Sequence, residues 1–124
     1  MMFAHTGAVN GFAVDDMSAA QKFYGETLGI ETSEQDGLLT LHLTGGRDTL
    51  IYQKPDFVPA TYTILNFMVD DIDRAVDDLS ARGISLERYE GLEQDERGIH
   101  RGFGPGIVWF TDPAGNILSA VQTA

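Results

Sequence analysis

The chain contains one pattern of apolar and polar positions twice. The first copy runs from Val14-Asp15-Asp16-Met17 to Gly29-Ile30, and the second runs from Val69-Asp70-Asp71-Ile72 to Gly83-Ile84. After each pair of aspartates the apolar residues recur every three or four positions, which predicts an amphipathic helix that ends at a glycine. A repeat of this length indicates two copies of one supersecondary unit, neither of which can bury its apolar face alone.

The first unit is predicted to be β-α-β-β-β. Its elements are a strand at 8–14, a helix at 17–28, and strands at 30–35, 38–43 and 49–53. Asp16 or Ser18 is expected to cap the helix, because short polar side chains accept hydrogen bonds from free N–H groups at a helix start. Residues 38–43 alternate, so the leucines at 39, 41 and 43 share one face and Thr40 and His42 share the other.

The second unit repeats the order after a linker at about 54–60 that contains Pro55 and Pro59. Its predicted elements are a strand at 61–69, a helix at 72–82, and strands at 84–90, 107–111 and 117–121. An acidic loop at 91–101 precedes the last two strands, and it is either a solvated loop or a mobile lid. The segment Asp112–Asn116 has the composition of a turn.

The amino-acid composition excludes several classes of partner and of chemistry. The chain has 124 residues, enough for one domain with its own core, and a formal net charge of -11 with a pI near 4.3. Such a chain repels phosphate backbones, so we expect no nucleic-acid partner, whereas a cationic ligand would be attracted. Without cysteine there is no disulfide or thiolate. No signal peptide or membrane span is evident, so we expect a cytoplasmic protein with no membrane partner.

Two motifs carry a resemblance to a known family. The first is Val14–Met17 followed by Phe23-Tyr24 and Leu28-Gly29, and the second is Trp109–Leu118. With these motifs the chain resembles the vicinal oxygen chelate superfamily, which contains glyoxalase I, extradiol dioxygenases and bleomycin resistance proteins. The resemblance implies an α+β fold with two β-α-β-β-β modules, whose mixed sheets curl into a half-open cup. It also implies a single domain over 1–124, with modules at about 8–53 and 61–122, and a homodimer.

The resemblance also locates the metal ligands of the metal-dependent members, which are His, Glu or Gln. Residue by residue, the four positions fall on Val9, on Ile64, on Ser119, and on either Ile51 or Gln53. A divalent ion needs several imidazole or carboxylate groups that converge on it, and these side chains cannot supply them. We therefore expect neither a metal nor another cofactor.

The side chains expected to line the cup are the candidate ligand-binding residues. His42 is either a general base or ligand contact, or a histidine hydrogen-bonded within the cup or at a dimer seam. Trp109 and Tyr52 either stack on a ligand or belong to the core. Asn66 lies between apolar neighbours, and its amide needs a ligand, a water molecule or Tyr62 as partner. The full set is Val9, Thr40, His42, Tyr52, Asn66, Trp109 and Ser119.

Three functions remain open at this point. The leading hypothesis is a metal-free homodimer that binds a small molecule, in one version an acidic protein that sequesters a cationic drug. The first alternative is a metal-dependent lyase, isomerase or dioxygenase with unconventional ligands such as His42, Gln53 and Glu90. The second is an interaction or regulatory module that docks through loop 91–101. No catalytic residue is assigned.

Overall fold

The computed structural model of the protein describes residues 1–102 and 104–123, and it divides the chain into two compact units. The first unit is Met1–Phe57, and the second begins at Val58. The first contains β1 (Asn10–Val14), α1 (Met17–Gln21), a π-helical segment (Lys22–Thr27), β2 (Glu31–Gln35), β3 (Leu38–Leu43) and β4 (Arg47–Gln53). The second contains β5 (Thr63–Met68), α2 (Ile72–Ala81), β6 (Gly106–Thr111) and β7 (Ile117–Gln122).

The sheet of the first unit has the strand order β1-β4-β3-β2. Strands β1 and β4 are parallel, and the other pairs are antiparallel, so the sheet is mixed. A two-residue turn joins β2 to β3, and both of its residues, Asp36 and Gly37, have positive φ angles of 54° and 79°. Such turns match the right-handed twist of a hairpin. The turn fixes the register, which places Ser33 opposite Thr40 and Glu31 opposite His42.

One face of this sheet forms the core of the first unit. Tyr24 from the helical segment is fully buried, and its ring lies 5.9 Å from that of Phe12. The sheet residues buried on this face are Phe12, Val14, Leu39, Leu41, Thr49 and Ile51. Because side chains alternate along each strand, the opposite face carries the side chains of Thr40, His42 and Tyr52, which remain accessible.

The first helix begins where the sequence predicts, but it changes from an α-helix to a π-helix after Gln21. Asp16 is the N-cap and accepts a hydrogen bond from the Ala19 N–H at 3.2 Å. After Gln21 the chain continues with π-helical turns, in which the Leu28 N–H donates to the carbonyl of Phe23 at 2.8 Å. Gly29, with φ of 71°, then ends the helix in the left-handed conformation, as predicted.

The sheet of the second unit has the order β5-β7-β6, with β5 and β7 parallel and β6 and β7 antiparallel. Asp71 caps α2 by accepting from the N–H groups of Asp73 and Arg74. The face toward α2 contains the buried Val108, Phe110, Leu118 and Ala120. Two mixed, unclosed sheets with few helices confirm the predicted α+β fold class.

The strand predicted at 84–90 does not form, and that prediction was wrong. The segment is irregular, and it bonds to the sheet through the Glu87 N–H, which donates to the Trp109 carbonyl at 2.8 Å. The side chain of Gln94 takes the place of a neighbouring strand: its Oε1 accepts from the Tyr89 N–H, and its Nε2 donates to the carbonyl oxygens of Glu87 and Gly98. The backbone groups of Glu87 and Tyr89 thus find hydrogen-bond partners without a ladder.

A bulge also shifts the phase of β5. Thr63 pairs with Ile117 and Leu65 pairs with Leu118, so Ile64 is an extra residue between them. A bulge of one residue turns the side chains before it to the other face of the sheet. Thr63 therefore lies on the same face as Ile117, and not on the α2 side with Leu65.

None of the helices in residues 1–102 and 104–123 combines the length and the apolar character that crossing a membrane requires.

Candidate functional site

His42 lies on the accessible face of the first unit, on the interior strand β3. Its Nδ1 is 3.1 Å from Oδ1 of Asp48, which is directly opposite on β4. Its Nε2 is 2.8 Å from Oγ of Ser33, on the neighbouring edge strand β2. The side chain of His42 is 36% exposed and that of Asp48 is 45% exposed. The histidine is therefore held by two side-chain partners while it remains accessible to solvent.

The other candidate residues of the first unit lie around this face. Thr40 is half-buried on β3 between Ser33 and Leu50. Tyr52 on β4 is 44% exposed, and Val9, just before β1, is 61% exposed. The exposed Tyr52 ring adds apolar surface to the sheet face that carries His42.

The candidate residues of the second unit form one row across its sheet. Ser119 on the central strand β7 pairs with Asn66 on one side and with Trp109 on the other. Ser119 is fully buried, and its Oγ donates to Oδ1 of Asn66 at 2.5 Å. Asn66 itself is exposed, and its partner is Ser119, not Tyr62.

Trp109 reaches across the sheet. Its Nε1 donates to Oγ1 of Thr63 at 3.2 Å, and Thr63 lies on β5, beyond the central strand β7. The indole therefore extends over β7, which accounts for the complete burial of Ser119 in that strand. Trp109 is partly exposed, so it is neither a core residue nor a freely moving surface side chain.

The rings of Tyr89 and His100 lie close to the indole of Trp109. The Tyr89 ring meets it edge to face, with centroids 5.6 Å apart, and the centroid of the His100 ring is 6.3 Å away. The Tyr89 hydroxyl is buried and has no hydrogen-bond partner within residues 1–102 and 104–123. This burial raises the pKa of Tyr89, and the nearby negative charge of Glu87 raises it further.

The acidic loop 91–101 contains a cleft of about 300 Å³. The cleft is lined by Glu93, Gln94, Asp95, Ile99, His100, Arg101 and Gly102. Ion pairs attach the loop to α2, since Arg97 pairs with Asp73 and Asp77 and Arg101 pairs with Asp73. A volume of this size is at the lower limit for small-molecule sites.

Comparison with known proteins gives the family. The model of the Glyoxalase/Bleomycin resistance protein/Dioxygenase superfamily matches residues 3–119. The chain belongs to this superfamily. The resemblance inferred from the two sequence motifs is thereby confirmed. A search of curated proteins finds no match.

Several solved structures share the fold of this chain. The antibiotic binding protein TnmS3 from Streptomyces sp. CB03234 is 23% identical, with a TM-score of 0.70 over 98% of this chain and 100% of that one. Lactoylglutathione lyase from Agrobacterium tumefaciens is 20% identical, with a TM-score of 0.64 over 95% and 94%. The fosfomycin resistance protein FosX from Mesorhizobium loti is 14% identical, with a TM-score of 0.66 over 98% and 95%. Identities this low show the fold alone.

The residues of this superfamily member do not fit the metal that the family implies. Of the four expected ligand positions, Ile51 is fully buried in the core, and Gln53 uses its Oε1 to accept from the Met17 N–H at 2.9 Å. Ser119 is bonded to Asn66, and Val9 and Ile64 have no donor atoms. In the part of the chain that the structure describes, no three His, Cys, Asp or Glu side chains form a group that could hold a metal ion.

Four contacting residues were missed by sequence reasoning: Ser33 and Asp48 beside His42, and Thr63 and Tyr89 beside Trp109. The first pair has a signal in the sequence. The Asp36-Gly37 dipeptide predicts a two-residue hairpin turn, and that turn sets the register between Ser33 and His42. Thr63 and Tyr89 have no such signal, because a bulge and an irregular segment place them.

Proposed function

We propose that this protein is a metal-free homodimer that binds a small, cationic, drug-like molecule. The observation that carries the proposal is the row of Asn66, Ser119 and Trp109 in the second unit. By the resemblance, metal-dependent members carry a metal-coordinating side chain at the position of Ser119. Here the serine hydroxyl donates a hydrogen bond to the Asn66 amide oxygen and fixes that amide. A position that binds metal in relatives here orients a polar group that faces solvent.

The row combines an aromatic surface with a hydrogen-bond donor. Ser119 is the one partner of the Asn66 side chain among residues 1–102 and 104–123, so the NH₂ group of the amide remains available to a ligand. The bond from Trp109 to Thr63 holds the indole in one orientation. Tryptophan is the best aromatic partner for a cation, and a fixed ring loses little entropy when a ligand stacks on it.

Charge and family likeness point to the same class of ligand. A net charge of -11 attracts cations and speeds their association at low salt. TnmS3, an antibiotic binding protein, has the same fold over 98% of this chain, and FosX is a fosfomycin resistance protein. These neighbours support the capture of an antibiotic more than an interaction module without a ligand.

Trp109 is the only tryptophan in the chain, so its fluorescence reports on this row. We expect a cationic glycopeptide of the bleomycin class to quench or shift the emission saturably, with an apparent Kd that rises as salt is added. Asn66→Leu should weaken binding about tenfold, since one hydrogen bond is lost. Gln21→Leu, on the exposed surface of α1, is the matched control and should bind as the unchanged protein does.

A titration in which no cationic glycopeptide alters the emission would count against a cationic drug as ligand. Native mass spectrometry of protein purified without chelator or histidine tag tests the remaining parts of the proposal. A dimer without metal, with or without an extra organic mass, supports it. One divalent ion per chain would instead favour the metal-dependent lyase, isomerase or dioxygenase.

A further inference from the structure

The cluster of Ser33, His42 and Asp48 lies in the first unit and plays no part in the ligand row described above. The three side chains form one hydrogen-bonded chain, with 2.8 Å between Ser33 Oγ and His42 Nε2 and 3.1 Å between His42 Nδ1 and Asp48 Oδ1. They come from three adjacent strands, β2, β3 and β4. The positions follow from the register: Asp48 is directly opposite His42, and Ser33 is two residues along β2 from Glu31, which pairs with His42.

When the imidazole of His42 is neutral and Asp48 is ionised, the chemistry of these groups sets the direction of both hydrogen bonds. An ionised carboxylate can only accept, so Nδ1 of His42 carries the proton that is donated to Asp48. In a neutral imidazole the other nitrogen then has a free lone pair, and Nε2 accepts from the hydroxyl of Ser33. A serine that donates to a histidine oriented by an aspartate is the arrangement that activates a hydroxyl as a nucleophile.

The location of Ser33 favours access by a substrate. Ser33 is exposed, and β2 is the edge strand of its sheet. In a hairpin with a two-residue turn, the two residues that flank the turn exchange both of their backbone hydrogen bonds. Along β2 the N–H groups then point alternately to β3 and away from it. The N–H of Ser33 therefore points to β3, and the N–H of Glu34 points to the open edge. In serine hydrolases the N–H of the residue after the nucleophile donates to the oxyanion. Glu34 places such a donor next to Ser33.

We propose that Ser33, His42 and Asp48 are a second, catalytic site that hydrolyses small activated carboxylic esters. Oγ of Ser33 bonds to the ester carbonyl carbon while Nε2 of His42 takes the hydroxyl proton. The bond to the leaving alkoxide breaks, the alkoxide receives that proton, and an acyl-serine remains. Water, deprotonated by the same nitrogen, attacks the acyl group, and Ser33 regains its proton as the carboxylic acid leaves. Asp48 holds the imidazole in the required tautomer.

The test uses p-nitrophenyl acetate as substrate and a fluorophosphonate probe to label the nucleophile in the full chain. We expect hydrolysis above that of buffer, and the probe attached to the peptide that contains Ser33. Ser33→Ala and His42→Ala should each lower the rate at least about a hundredfold and abolish labelling, and Asp48→Asn should lower the rate at least about tenfold. Far-UV circular dichroism and the urea midpoint check that each variant is folded.

Ser80→Ala is the matched control, because Ser80 is an exposed serine on α2 with no place in the cluster. It should keep both the rate and the labelling. Two results would overturn the proposal. If His42→Ala loses hydrolysis and Ser33→Ala keeps it, the imidazole itself is the nucleophile. If the probe does not label Ser33 in the unchanged protein, the hydroxyl is not activated. Neither result depends on whether a cationic ligand binds near Trp109.

Discussion

Gln53 and Gln122 show how a single side chain at the end of a strand fixes the start of a helix. Gln53 ends β4, and its Oε1 accepts from the N–H of Met17, the first residue of α1. Gln122 ends β7 and accepts in the same way from Ile72, the first residue of α2, with the same distance of 2.9 Å. The aspartate caps satisfy the N–H groups further into each helix, so strand end and cap act together.

Replacing either glutamine by alanine should lower the free energy of unfolding. We expect a loss of about 0.5–1 kcal/mol for Gln53→Ala, whose hydrogen bond is exposed, and about 1–2 kcal/mol for Gln122→Ala, whose bond is partly buried. Urea denaturation measures both. Gln35→Ala, at the exposed end of β2, is the control and should change stability by less than about 0.5 kcal/mol. Equal losses in all three variants would contradict the capping role.

Asp95 makes stability depend on pH. Its carboxylate accepts from the N–H groups of Ile99 and Arg97, each at 2.9 Å. The Ile99 N–H is the largest cause that lowers the pKa of Asp95, and the Arg97 N–H and the charge of Arg101 lower it further. A carboxyl with a lowered pKa contributes fully above the pKa of the unfolded chain, about 3.9, and loses that contribution as the pH falls through the folded value.

Asp95→Asn should therefore be less stable than the unchanged protein at pH 7, because it keeps an acceptor oxygen but loses the charge. The difference in free energy of unfolding should shrink as the pH falls below about 4. Urea denaturation at several pH values and constant ionic strength gives this comparison. A difference that stays the same from neutral to acidic pH would show that only the geometry of the loop had been changed.

The irregular segment 84–90 is held by side-chain hydrogen bonds instead of a strand ladder. Gln94, in the loop, makes two hydrogen bonds to the segment and a third to Gly98 within the loop. The guanidinium of Arg88 adds two bonds from the segment to the loop by donating to the carbonyl oxygens of Asp95 and Glu96. These bonds fix the segment beside β6, where Tyr89 packs against Trp109. The aromatic surroundings of the indole thus depend on the side chains of Gln94 and Arg88.

Two substitutions of Gln94 can separate the roles of its amide. Gln94→Ala removes all three bonds, so the Tyr89 amide should exchange its hydrogen faster and stability should fall by about 1–3 kcal/mol. Gln94→Glu keeps an acceptor for the Tyr89 N–H but cannot donate to Glu87 and Gly98, so the Tyr89 amide should stay protected while stability still falls. Hydrogen exchange followed by mass spectrometry measures the protection, with β7 amides as the internal reference.

How far the sequence predicts an element depends on where its hydrogen-bond partners lie. The helix starts were predictable, because Asp16 and Asp71 cap N–H groups only two or three residues away. The irregular conformation of residues 84–90 was not predictable, because the composition of the segment suits a strand. The Gln94 side chain bonds to its backbone where a neighbouring strand was expected. The bulge at Ile64 likewise depends on pairing with a distant strand. The alternation of apolar and polar residues in β3 predicted that His42 lies on the face opposite the leucines. Its partners Ser33 and Asp48 could be identified only from the register of the neighbouring strands.

The net negative charge of the whole molecule lowers the stability of the folded state. With 19 acidic and 8 basic side chains, the chain carries a formal net charge of -11, and the excess negative charges repel one another in the compact state. Exposed ion pairs such as Arg82 with Asp78 contribute only about 0–1 kcal/mol each, and salt weakens them. The excess of negative charge acts throughout the chain, and salt screens it within a distance of about 10 Å at 0.1 M. Repulsion should therefore dominate the response to salt.

We expect the urea midpoint to rise as NaCl is increased from about 0.01 to 0.5 M, because screening relieves repulsion more than it weakens ion pairs. KCl should act in the same way, since the effect depends on ionic strength. A variant with amides in place of the exposed acids Asp15, Glu26 and Glu90 should be more stable at low salt and should respond less to added salt. If the variant responded as strongly as the unchanged protein, local ion pairs and not the net charge would set the salt dependence.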